Sequence, residues 1–135
     1  MKRKMQRQCK GGTSMKTRST ADFLRDFNDA FFNGKKEFIE QHVSDGVEWI
    51  MVGAMPLKGR QALVDAAFGM QDYTQMEFEI DTVITGGQEG VVKGVMTAKG
   101  GNDRERKYCY CDFYEWQGEG DPKITKMTSF VVETK

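Results

Sequence analysis

The chain has 135 residues, 39 % hydrophobic and 30 % charged, with 15 Gly, 2 Pro and no net charge. That length suits one domain with one core, and the composition excludes a collagen-like, Pro-rich or fully disordered chain. No apolar run approaches the roughly 18–20 residues of a membrane span, and the first twenty residues lack a secretory apolar stretch, so no membrane association is expected and a cytoplasmic location is.

The charge is uneven. Residues 1–20 hold seven basic residues (Lys2, Arg3, Lys4, Arg7, Lys10, Lys16, Arg18) and no acid, which leaves 13 basic against 20 acidic in the remainder. Residues 1–19 read as a flexible basic leader, with Gly11-Gly12, few apolar residues and no aromatic on which a base could stack. Met15 is an alternative start of translation. The acidic body argues against nucleic acid as a partner, since phosphate binding scales with clustered Lys and Arg.

Residues 20–135 read as a single α+β domain. Ser19-Thr20 offers a helix N-cap with Asp22 in the first turn. Phe23, Leu24, Phe27, Ala30 and Phe31 then recur at three and four, one apolar helical stripe, ended by Asn33-Gly34. A shorter helix turns Phe38, Ile39 and Val43 inward and stops at Ser44-Asp45-Gly46. Val47–Gly53 is β-rich; Ala54–Lys58, with Pro56, reads as a loop. Gly59 opens a third helix with Leu63, Val64, Ala67, Phe68 and Met70 on one side.

After Tyr73 the period changes from 3.6 to 2. Residues 76–81 alternate cleanly, with Glu77, Glu79 and Asp81 on a solvated face. Gly86-Gly87 turns into a strand over 89–99, Gly100–Asp103 into one over 104–117, and Gly118–Pro122 into a last over 124–133. Short Gly-rich turns between strands predict an antiparallel meander. The strand over 104–117 is apolar on both faces: Tyr108, Tyr110, Asp112, Tyr114 and Trp116 on one, Cys109, Cys111 and Phe113 on the other. One face meets the helices; the other needs a cover, and a homodimer packed through the outer sheet face is expected.

Cys9, Cys109 and Cys111 make no disulfide framework, and neighbours along one strand do not normally bridge; they read as reduced thiols. With only His42 as an imidazole, no metal site is expected. His42 ends the second helix, where a partly charged ring complements the dipole.

Three segments carry a family resemblance: Phe27-Asn28-Asp29-Ala30-Phe31-Phe32-Asn33-Gly34, Asp45-Gly46-Val47-Glu48-Trp49, and Gly53-Ala54-Met55-Pro56-Leu57-Lys58-Gly59-Arg60-Gln61-Ala62-Leu63. A fourth is Cys111-Asp112-Phe113-Tyr114-Glu115-Trp116. Together they resemble the nuclear transport factor 2-like superfamily, in the branch of SnoaL-like polyketide cyclases and ketosteroid isomerases. The resemblance implies a cone-shaped, cystatin-like α+β barrel, three N-terminal helices packed on a strongly curved, mostly antiparallel sheet. It does not settle the activity, because the superfamily spans isomerases, cyclases, dehydratases, epoxide hydrolases and association domains.

Of the ketosteroid isomerase groups, registering the loop glycines sets the base on Ile50 and the tyrosine on Phe27, and leaves only the acid, as Asp112. Neither replacement transfers protons. The scytalone dehydratase type leans on two histidines and fails here. The epoxide hydrolase type needs an arginine between two carboxylates, and Arg60, Arg104 and Arg106 do not obviously supply it. SnoaL-like cyclases lean on one acid/base aspartate in an apolar pocket, a role open to Asp112.

Asp112 is therefore the candidate catalytic residue. Among aromatic rings a carboxyl loses hydration and its pKa rises; the alternative is a structural carboxylate held by a tyrosine hydroxyl or by a basic residue across the sheet. Candidate ligand-binding residues are Phe27, Trp49, Ile50, Met96, Tyr110, Tyr114, Met127 and Ser129, several of which equally suit core packing. Gly94 inside a strand either makes room for a ligand or relieves curvature. Two functions follow: a small apolar or aromatic ligand held in the cone, with isomerisation or cyclisation needing no cofactor, or a non-catalytic association module with a filled cone. Cavity volume discriminates them.

Overall fold

The computed structural model describes residues 19–68, 75–99 and 104–134. The basic leader, Cys9, Met70 and the turn at 100–103 lie outside the described residues. Among the described residues three helices, α1 (Thr20–Phe32), α2 (Lys36–Gln41) and α3 (Arg60–Phe68), accompany six strands. These are β1 (Val43–Met51), β2 (Leu57–Lys58), β3 (Gln75–Gly86), β4 (Glu89–Lys99), β5 (Glu105–Gln117) and β6 (Lys123–Thr134). They form one sheet in the order β2-β1-β6-β5-β4-β3, antiparallel throughout except for the parallel β1–β6 pair. The architecture is the expected α+β cone, with helices on one face of a curved, mostly antiparallel sheet.

Local chemistry sets the helix ends. Ser19 Oγ accepts from the Asp22 N–H at 3.0 Å, capping α1. Gly34, at φ 70°, takes the left-handed conformation past its C-terminus. The α1 stripe buries Phe23, Leu24, Phe27 and Ala30 as expected, and also Asn28.

Two expectations change around β1. Val43 does not end α2, and Ser44-Asp45-Gly46 does not stop a helix. The β6 ladder captures this segment: the Ile124 N–H donates to His42 O at 2.8 Å, and Val43 pairs with Ile124. The register then shifts between Val43 and Glu48, so Ser44–Gly46 lie in an irregular stretch of one strand. Leu57-Lys58, read as loop, is a two-residue edge strand on Trp49 and Glu48. Further register shifts fall at Ile80/Thr82 in β3 and Glu115/Trp116 in β5; such bulges bend a sheet around a core.

Gly94 faces this inner side, opposite Ile80 and Tyr110. A Cβ there would overlap Glu79 O and lie 2.6 Å from Tyr110 Oη, so the glycine makes room for a tyrosine hydroxyl. The outer face carries Ile84, Val95, Phe113, Phe130 and Val132, all exposed, with the Phe113 and Phe130 rings 5.8 Å apart across β5 and β6. Among the described residues no helix is long and apolar enough to cross a membrane.

Candidate functional site

Between the helices and the inner sheet face lies a cavity of about 400 Å³. α1 lines it with Asn28, Phe31 and Phe32, β1 with Trp49 and Met51, and α3 with Ala66, Ala67 and Phe68. The long strands add Met96, Tyr110, Asp112, Tyr114, Met127, Ser129 and Val131. The walls are thus mainly aromatic rings and methionines, with polar atoms gathered around Asp112.

Strand register explains the gathering. Asp112 pairs with Ser129, and its strand neighbours Tyr110 and Tyr114 share its face. Trp49 and Met51 pair with Met127 and Ser129, which sets them on that same face. The structure therefore brings together Trp49, Met96, Tyr110, Asp112, Tyr114, Met127 and Ser129.

Two expected liners are not there. Ile50 pairs with Thr128, so it alternates to the opposite face from Trp49 and Met51. The position read as a catalytic base is thus one residue out of phase, and its inward neighbours transfer no protons either. Phe27 is fully buried in the core, its ring 5.6 Å from Tyr114 and 5.4 Å from Phe31, behind the wall rather than in it.

The residue that sequence reasoning missed is Asn28. It is 1 % exposed. Its amide nitrogen donates to Asp112 Oδ2 at 3.1 Å and to Tyr114 Oη at 3.0 Å, and its oxygen accepts from Tyr110 Oη at 2.9 Å. These partners fix the amide: turned over, its oxygen would face a carboxylate. The signal was available, since Asn28 is four residues after Leu24 and three before Phe31, a polar side chain inside an apolar stripe.

The network continues on the other side. Trp49 Nε1 donates to Ser129 Oγ at 2.9 Å, and Ser129 stands in register with Asp112, where its hydroxyl favours the ionised carboxylate. Tyr114 Oη lies 3.5 Å from Asp112 Oδ2. Burial pushes Asp112 up to about 6, against the bonds from Ser129, Asn28 and Tyr114, which favour the ionised form. Burial and the nearby Asp112 charge push the Tyr110 and Tyr114 hydroxyls well up, so both remain protonated near neutral pH.

Among the described residues no ionic group other than Asp112 lines the cavity. Arg60 pairs with Asp45, Arg106 with Glu133, and Lys93 with Asp81. Among the described lining residues Asp112 is the one carboxylate and there is no arginine. His42 stacks on Phe38 with ring centroids 4.2 Å apart, and its Nδ1 lies 2.8 Å from Phe38 O, a packing role.

The SnoaL-like domain family matches residues 24–127. The chain belongs to this family. The match runs from Leu24 within α1 to Met127 in β6, and so includes both Asn28 and Asp112. No curated protein matches this SnoaL-like chain. Among solved structures it is similar to a candidate SnoaL-like polyketide cyclase from Jannaschia sp. CCS1, at 14% identity and TM-score 0.70, covering 89% of this chain and 91% of that one. It is also similar to an NTF2-like protein of unknown function from Cytophaga hutchinsonii, at 19% identity and TM-score 0.68, covering 84% and 100%. A third is an LEH-like epoxide hydrolase of M. tuberculosis, at 16% identity and TM-score 0.69, covering 82% and 80%. At these identities the neighbours establish the fold and no activity.

Proposed function

We propose that this protein binds a small apolar or aromatic molecule in the cone, with Asp112 as its polar anchor. The observation that carries this reading is the open cavity of about 400 Å³ that reaches Asp112. Its volume falls within the range of small-molecule sites, and a filled association module would have no such space. The chemistry it supports is proton transfer by a single group, of isomerisation or cyclisation type. A carboxyl raised to about 6 is mostly ionised at neutral pH, so it can take a proton from a bound molecule and return it elsewhere.

The test is titration with indole, read by the methionine methyl signals. Met51, Met96 and Met127 line the cavity, whereas Met55 is 82 % exposed on a loop. Saturable shifts at those three methyls, and none at Met55, are expected. An absence of shifts, or equal shifts at Met55, would contradict the reading.

A second copy of the chain is the proposed cover for the outer sheet face. The exposed Phe113, Phe130, Val132, Val95 and Ile84 support it. The part-exposed free thiols of Cys109 and Cys111 on that face suit a reducing compartment such as the cytoplasm.

A further inference from the structure

The donors and acceptors around Asp112 constrain what can bind there. Five lining side chains carry an N–H or O–H: Asn28, Trp49, Tyr110, Tyr114 and Ser129. Each is already directed at a partner within the protein. Asn28 spends both amide hydrogens on Asp112 and Tyr114. Tyr110 donates to Asn28, and Trp49 to Ser129. Ser129 is the cross-strand neighbour of Asp112, and Tyr114 Oη lies 3.5 Å from Asp112 Oδ2. The side chains therefore offer a ligand acceptor capacity and no spare donor. An ionised carboxylate has about four lone-pair sites, so positions remain on Asp112 beyond its contacts with Asn28 and Tyr114.

Charge narrows the choice further. No lysine, arginine or histidine is among the described lining residues, so none of them sets a cation beside Asp112. Trp49 is linked to Asp112 through one hydroxyl, and the Tyr110 ring stands on the same strand face. A carboxylate among aromatic rings, with no counter-ion among the described lining residues, is matched by a cation that can also donate hydrogen bonds. A ligand carboxylate or phosphate would meet the opposite: a like charge and no free donor.

From this donor count and the absence of a lining cation, we infer that the cavity takes a protonated amine on an apolar or aromatic body, its ammonium on Asp112. The inference rests on the ligand-site reading above and specifies the ligand class. The groups facing Asp112 are Tyr110 and Tyr114 on β5, Asn28 from α1, Ser129 from β6 and Val92 from β4. Only the tyrosines among these titrate, and they do so far above neutral pH, so Asp112 controls the pH response between about 5 and 8.

The experiment compares phenethylamine, phenethyl alcohol and hydrocinnamate, three probes of similar size, on the full chain by the same methionine methyl signals. At about pH 7.5 the amine is expected to bind about tenfold or more tighter than the alcohol, with hydrocinnamate weakest. Asp112→Asn should reduce the amine to the affinity of the alcohol. The unmodified protein supplies an independent readout: amine affinity falls as pH drops below about 6, while alcohol affinity does not. Alcohol binding as tight as the amine, or an amine affinity flat across that range, overturns the ammonium assignment and leaves the ligand site standing. Failure of all three probes overturns both.

Discussion

Replacing Asp112 by Asn should change the pH dependence of stability in a calculable way. The folded-state value near 6 stands above the ordinary 3.8, so the folded chain holds this proton more tightly than the unfolded one. Stability from this group is therefore greatest below about pH 3.8 and is lost as pH rises through about 6. A rise of about two units corresponds to about 3 kcal/mol, of which about 2 kcal/mol falls between about pH 4.5 and 7.5. Asn at this position does not titrate. Its lost hydrogen bonds shift the variant by an amount independent of pH, and other ionisable groups cancel in the difference. Urea unfolding of both proteins, followed by tryptophan fluorescence at a series of pH values, gives that difference. The wild type should lose about 2 kcal/mol relative to Asp112→Asn across the window. A flat difference, or one that grows with pH, would refute burial as the dominant influence on this carboxyl.

Gly94→Ala should cost about 1–3 kcal/mol in unfolding free energy and weaken indole binding, because the new methyl meets Glu79 O and the Tyr110 hydroxyl; unchanged stability would mean that Tyr110 does not seat there. Asn28→Ala strands the Tyr110 hydroxyl and removes one bond from the carboxylate, with an expected loss of about 2–4 kcal/mol and a further rise in the Asp112 pKa. A shift below about 0.5 kcal/mol in urea unfolding would contradict the network. Phe113→Asp with Val132→Asp charges the outer sheet face, and light scattering should then report a monomer where the wild type reports a dimer. A wild type already monomeric at high concentration would remove the proposed dimer.

Helix α1 and the β3–β6 meander were legible because their hydrophobic periods run long enough to be unambiguous, whereas the six-residue α2 carries too short a period to show its own end. The inward face of Asp112 was legible because it alternates with two tyrosines, and period two leaves one choice of face once those rings are inward. Ile50 was misplaced for the same reason in reverse. Its face depends on the phase of a strand whose irregular stretch at Ser44–Gly46 comes from pairing with β6, far away in sequence. The edge pair at Leu57-Lys58 was hidden because two residues carry no period. Asn28 was overlooked because helix α1 was read for its apolar members alone, while its partners lie 82 to 86 residues away. The outcome is a cone whose carboxylate is organised by a helix asparagine as much as by its own strand.

The most direct measurement is a crystal structure of the protein with phenethylamine. The expected result is the ring among Phe31, Trp49 and Met127, with the nitrogen about 3 Å from an Asp112 carboxylate oxygen. A cavity closed by repacked side chains, or a probe with its nitrogen turned away from Asp112, would contradict it.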